Sequence, residues 1–299
     1  MRKTAMTKPA RALAAALALL ASACLAAAEP GSGPYPVKDK DGKRLPDYTV
    51  PGDSQIDQEP NAAQIRLGQR LLNDTARLLP GNVGAAMNCN SCHVQQGKKP
   101  LGAPYINTFN SFPQYNPRAA RVVTLEDRIN GCFQRSMNGK PLPKDGIEMQ
   151  AMIAYMKWLA QDVPHGAKVQ IANAWPIDTS LTPDTTRGKT LYAAQCAACH
   201  GADGEGRKNA AGHIIFPPLW GEASFNIGAG LARTYKAAAF IRNNMPMAVN
   251  TQGHWGEGGV LSDQDAVDIA AFFTHMPRPD FAGKDKDWPR GDKPKDARY

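Results

Sequence analysis

A chain of 299 residues is comfortable for two domains, and its 42% hydrophobic share is enough for a core in each. Four of the eight net positive charges (Arg2, Lys3, Lys8, Arg11) precede an apolar run from Ala12 to about Leu20 and the small residues Ala26–Ala28. This is the layout of a secretory signal cleaved after Ala28; the net charge of +4 left behind gives no case for a nucleic-acid partner. Cleavage at Cys24 is the alternative and would make a lipoprotein, although Ala21 stands where a branched aliphatic residue is usual. No other apolar run is long enough to span a bilayer, so the mature chain is expected in the periplasm with no transmembrane segment.

After residues 1–28, residues 29–60 are rich in Pro, Gly and charge and predict an extended arm. A helix should begin at Asn61, with Gln64 placed for a capping box and Leu71, Leu72, Leu78 and Leu79 on one face. Pro80-Gly81 ends it, and Cys89-Asn90-Ser91-Cys92-His93 follows. From Gly97 to Arg121 the prolines and glycines predict loop. Thr124-Leu125-Glu126-Asp127 reads as a capping box opening a helix through Cys132, and a second helix covers about Gly146 to Ala160. Residues 165–182 read as a linker between domains at 61–164 and 183–276. The second domain, beginning at Pro183-Asp184, repeats the order: Arg187 to Tyr192 lead on a short helix into Cys196-Ala197-Ala198-Cys199-His200, and a helix follows near Leu231 to Asn243. Met245-Pro246-Met247 follows, then a last helix capped by Ser262. Gly68 and Gly188 in the first helices should allow close packing on the last helix of each domain. The tail, 277–299, alternates Lys or Arg with Asp and is expected to be mobile surface.

C-x-x-C-H is the attachment signature of a c-type haem: two sulfurs on one turn reach the two vinyl groups, and the His ligates the iron. A zinc site would want a second ligand pair at short spacing, and neither copy has one. Two covalently bound haem c groups are therefore expected, on Cys89, Cys92 and His93 and on Cys196, Cys199 and His200. The order of helix, CxxCH, loops and C-terminal helix, seen twice, predicts a mainly α fold of two class I cytochrome c-like domains in tandem.

The distal ligands remain to be named. In the second domain Met245 is the first candidate and Met247 the alternative. In the first, Cys132 lies 39 residues past His93, with Met137 as a rival. Cys132 is the one thiol of the mature chain outside the haem motifs, with Arg128 at i−4 and Ser136 at i+4. A neighbouring guanidinium favours the thiolate, the form that ligates iron or attacks sulfur. Arg118, Arg121, Arg128 and Arg135 together suggest a pocket for a small dianion, because guanidinium binds oxyanions through paired donors.

The segment from Arg128 to Gly139, with Cys132 at its centre, resembles the tetrathionate-forming thiosulfate dehydrogenases, periplasmic dihaem cytochromes c. The likeness extends over Glu148-Met149, Ala154 to Leu159 and Asn244-Met245-Pro246. It implies that two thiosulfates are oxidised, reversibly, to tetrathionate at a His93/Cys132 haem. Arg118, Arg128 and Ser136 match positions that hold substrate, and Cys132 matches the ligand that forms a covalent sulfur adduct. The second haem, His200/Met245, would pass electrons to an external c-type cytochrome or other high-potential acceptor. Some relatives carry a Lys ligand where this chain has Asn244, so Met ligation is expected here in both redox states. The competing readings are a dihaem electron carrier without a substrate of its own, and a haem subunit of a larger sulfur-oxidising complex.

Overall fold

The structure is a computed structural model and describes residues 32–247 and 258–299. The expected leader and Cys24 lie outside the described residues. The first half runs β1 (Tyr35–Lys38), β2 (Arg44–Tyr48), α1 (Ala62–Asn73), α2 (Thr75–Leu78), α3 (Val94–Gly97) and α4 (Thr108–Ser111), then β3 (Gln114–Asn116), β4 (Arg121–Val123), α5 (Leu125–Arg135) and α6 (Ile147–Leu159). It continues through β5 (Lys168–Val169) into α7 (Thr185–Gln195), α8 (Ala197–His200), β6 (Arg207–Lys208), β7 (Ile214–Phe216), α9 (Thr234–Asn244) and α10 (Asp263–His275). Among the described residues no helix is long and apolar enough to cross a membrane.

Each half is organised by its first helix crossing its last. A Cβ on Gly68 of α1 would stand 2.0 Å from the Ala151 carbonyl oxygen of α6. A Cβ on Gly188 of α7 would stand equally close to the Asp268 carbonyl of α10. Only glycine permits that approach, so both expected crossings form. Around them Ile65, Leu72, Met152 and Tyr155 are buried in one half and Tyr192, Ile269 and Phe273 in the other. The Met149, Met152 and Met156 stripe is wholly core.

The helix starts follow from their caps. Thr124 Oγ1 accepts from the Asp127 amide at 3.3 Å, and the Asp127 carboxylate accepts from the Thr124 amide at 3.2 Å. Ser262 and Asp265 repeat the reciprocal pair at α10. Asn61 departs from expectation: its φ and ψ of −112° and 32° lie outside the extended region that aims a capping side chain at the helix, and no such bond forms. The Leu71–Leu79 face is also interrupted, because the chain bends at Asp74 and α2 starts afresh.

Three stretches are more ordered than the sequence suggests. The 29–60 arm contributes the hairpin β1–β2, and β5, from the expected linker, pairs antiparallel with β1. Val37, Tyr48, Ile106, Val163, Ala167 and Val169 make a small second core there. The expected 97–121 loop contains α4 and opens the β3–β4 hairpin, turned at Ala120 in the left-handed region. The tail does not stand off as solvated surface. Trp288 is 8% exposed, Asp287 pairs with Arg135 at 2.6 Å, and Asp296 pairs with Arg233 at 2.8 Å. Asp287 and Asp296 thus meet fixed partners far along the chain, while Asp285, Lys286, Asp292, Lys293 and Lys295 stay exposed.

Candidate functional site

The first CxxCH is held from below by α2. The Cys89 amide donates to Thr75 Oγ1 at 3.0 Å, and Asn88 Oδ1 accepts from the Ala76 amide at 3.0 Å. Cys89, Cys92 and His93 then line an apolar cleft of about 540 Å³, opposite Phe133 and Met156. His93 Nδ1 lies 2.5 Å from the Ala103 carbonyl oxygen, and the ring stacks on Tyr105 at 4.4 Å. That contact commits Nδ1 and leaves Nε2 as the nitrogen for a metal. Burial lowers the His93 pKa to about 4, so the ring is neutral, the ligating form. Burial pushes the Cys89 and Cys92 thiols up to about 12, as expected of sulfurs in an apolar wall.

The segment between His93 and its acceptor is unusual. Gln95, Gln96, Gly97, Leu101 and Ala103 all have positive φ. Non-glycine residues hold that conformation only where surrounding contacts impose it. Here the Leu101 amide donates to the Ala172 carbonyl at 2.8 Å, and the Ala103 amide to that of Asn173 at 3.0 Å. The stretch between the halves therefore sets the carbonyl that meets His93.

The opposite wall is the end of α5. Cys132, Ser136 and Met137 line the same cleft as His93. Arg128 Nη1 stands 2.8 Å from Cys132 Sγ, and proximity to that sulfur is the leading cause of the raised Arg128 pKa. Of the four arginines expected around the thiol, Arg128 is the one the structure brings to it. Arg121 pairs with Asp127 at 3.2 Å, and Arg135 with Asp287. Arg118 donates to the Gly228 carbonyl at 2.6 Å and lies 4.7 Å over the Trp288 ring.

The second cleft, about 640 Å³, gathers Cys196, Cys199, His200, Met245 and Met247. His200 Nδ1 is 2.9 Å from the Pro217 carbonyl, and burial lowers its pKa. Met245 terminates α9, its amide donating to Ile241 at 2.9 Å. A covalent haem needs two sulfurs and a neutral imidazole facing one apolar cleft, and both clefts offer that set. Among the described residues no group of three or more His, Cys, Asp or Glu is placed to hold a metal ion.

The SoxA/TsdA cytochrome c domain model matches residues 81–165, and the cytochrome c model matches 185–277. A thiosulfate dehydrogenase of Psychrobacter arcticus is 47% identical over 253 residues, covering 85% of this chain and 75% of that protein. The chain belongs to the thiosulfate dehydrogenase family. The family member of Allochromatium vinosum is 41% identical, over 78% of this chain and 85% of its own. The solved thiosulfate dehydrogenase TsdBA of Marichromatium purpuratum, in its as-isolated form, superposes with a TM-score of 0.69 at 35% identity. It covers 78% of this chain, which spans half the length of that one. Two cytochrome c domains thus stand in tandem, as the repeated CxxCH order predicts, and the chain binds haem c. Cys89 to His93 and Cys132 fall in the SoxA/TsdA-type domain, and Cys196 to His200 and Met245 in the other.

Sequence reasoning missed Tyr105, which supports the His93 ring, and Asp287, which binds Arg135. A tryptophan beside an aspartate in an otherwise charged tail, Asp287-Trp288, was the available signal for the second.

Proposed function

We propose that this protein is a periplasmic dihaem thiosulfate dehydrogenase. It joins two thiosulfates into tetrathionate and runs in reverse as a tetrathionate reductase. The observation that carries the reading is the Arg128–Cys132 contact at 2.8 Å in the cleft that also holds His93. A pure electron carrier has no use for a cation-paired thiol facing its haem.

In this reading the haems number two. Cys89, Cys92, His93 and Cys132 would hold one, and Cys196, Cys199, His200 and Met245 would hold the other. Met245 is preferred to Met247 because its backbone is fixed as the last cap of α9. The haem in each cleft supplies a one-electron centre, the thiolate-ligated one at lower potential than the thioether-ligated one. Residues 61–164 form the catalytic domain and 183–276 the electron-transfer domain.

Cys132 Sγ bonds the terminal sulfur of the first thiosulfate in a two-electron oxidation of the two sulfurs. Two electrons depart to an external c-type cytochrome or another high-potential acceptor. The terminal sulfur of a second thiosulfate then attacks the bound sulfur and breaks the bond to Cys132. Tetrathionate is released and the thiolate is restored, so charge and electrons balance at each step. Arg128 stays beside the sulfur and favours its anionic form, while Ser136, one turn further along, offers a hydroxyl to a substrate oxygen. Arg118 holds the substrate's charge.

The test is thiosulfate oxidation by the purified holoprotein and by Cys132→Gly, with a high-potential acceptor. Wild type should form tetrathionate and show a low-spin thiolate-haem signal, and the variant should lose both. A wild type that exchanges electrons with other cytochromes but leaves thiosulfate untouched would make the protein a carrier.

A further inference from the structure

The end of α5 is gripped by residues far along the chain. Arg135, the last residue of that helix, donates through Nη2 to Asp287 at 2.6 Å and lies 4.1 Å over the Phe281 ring. Arg118 Nε is 3.8 Å from the other oxygen of Asp287. The Arg118 carbonyl accepts from the Trp288 amide at 2.8 Å, and the Trp288 ring underlies its guanidinium. The Tyr299 hydroxyl also donates to Asp287, whose side chain is only 4% exposed.

This carboxylate therefore sits between two arginines that would otherwise repel each other in a half-buried space. Burial lowers the Arg118 pKa, with Arg135 adding to it, while Tyr299 and then Asp287 act in the opposite direction. Such a group is costly to bury and is held in place only while its cations are paired. Its partner Arg135 is adjoined by a residue of the cleft wall. Ser136 follows Arg135 directly and lines the haem cleft with Cys132 one turn earlier.

We propose that Asp287 is a positioning residue for the thiosulfate site. Its carboxylate fixes the direction of the Arg118 guanidinium and the Arg135 end of α5, so the substrate-holding arginine keeps one spacing from Cys132 and Ser136. The inference rests on the reading that Arg118 holds substrate. It brings the tail, which carries no haem ligand, into the definition of the site.

A double-mutant cycle on the holoenzyme tests it: Asp287→Asn, Arg118→Gln and the pair, with KM, kcat and melting temperature measured for each. Thiosulfate affinity is measured in parallel by calorimetry with the acceptor left out. Loss of one charge-assisted contact predicts that Asp287→Asn raises KM and the thiosulfate dissociation constant about tenfold, with kcat little changed. On the Arg118→Gln background the same change should add nothing, because the two act as a unit. Asp287→Glu keeps the charge on a longer arm and should raise KM by a smaller factor; it serves if Asp287→Asn does not fold. If Arg118→Gln raises KM and neither Asp287 variant does, the positioning role is wrong while the reading of Arg118 stands. Equal effects of Asp287→Asn on both backgrounds would also overturn it, by showing action through packing alone. If Arg118→Gln itself leaves KM and affinity unchanged, the substrate-holding reading fails first.

Discussion

Asn244 donates from Nδ2 to the Leu101 carbonyl at 2.9 Å, across the boundary between the two halves. The residue at one end of this bond precedes Met245. The residue at the other lies two positions before Ala103, whose carbonyl meets His93. Asn244 is 0% exposed and donates also to the Phe240 carbonyl at 2.8 Å. The candidate distal ligand of one cleft and the candidate proximal ligand of the other are thus tied through one side-chain amide.

Asn244→Leu should remove that tie and leave the half-buried Leu101 carbonyl without its partner. A buried group left unsatisfied costs about 1–3 kcal/mol. For a chain of this size that lowers the melting temperature by about 2–4 °C per kcal/mol. The two halves should then melt apart, read as non-coincident transitions at the two haem absorption signals. A single unshifted transition would show that the bond does not couple them.

Arg128→Gln should lower kcat/KM for thiosulfate by about tenfold to a hundredfold, the range for losing a hydrogen bond to a charged group. Arg128→Lys keeps the charge but shortens the reach, and should fall between. Steady-state kinetics of the two variants beside wild type decides the matter. Equal rates for Gln and wild type would separate the 2.8 Å contact from the chemistry.

Asp127 gives a pH signature. The Lys144 side chain first, then the Thr124 amide and Arg121, hold its carboxyl down from 3.8 to about 2, against a smaller burial effect. A pKa lower in the folded state means stability present above about pH 4 and lost as pH falls through about 2. The side chain is 17% exposed at the surface, so solvent screens part of the effect. Asp127→Asn should flatten the acid limb of the stability curve between those values and loosen the start of α5. Chemical denaturation across pH 2 to 5 measures it, and an unchanged acid limb would assign the slope to other groups.

Gly188→Ala should be among the most damaging methyl additions in the chain. The new Cβ would meet the Asp268 carbonyl at 2.0 Å, and Asp268 is itself pinned by Arg187 and by the Asp184 amide. Backbone on backbone cannot yield as a flexible side chain can, so α7 and α10 must part. Overpacking costs about 1–3 kcal/mol or more. The haem in the second cleft should loosen with it, seen as a lowered melting temperature at that haem's signal. Full stability of the variant would mean that the crossing is slacker than this geometry.

Local rules made much of this fold legible. The caps at Thr124 and Ser262, the glycine crossings and the two CxxCH clefts each depend on residues within a turn or on a fixed motif. The misses have a common cause. Asn61 has the composition of a cap but not its backbone angles. Asp287 meets Arg135 from 152 residues away, a distance at which charge alternation carries no information. The resemblance to a family grouped Arg118 with the substrate site, whereas the structure adds that its guanidinium already holds Gly228 and the Trp288 ring.

The clamp of Ala172 and Asn173 on Leu101 and Ala103 bears on how the protein can be cut. The matched SoxA/TsdA-type region stops at residue 165, before that clamp. A fragment ending there would keep every candidate ligand of its cleft yet lose the two carbonyls that hold the left-handed loop behind His93. The first half is therefore not a portable part. To be transplanted with its histidine correctly presented, it must carry a stretch of chain that sequence comparison assigns to neither domain.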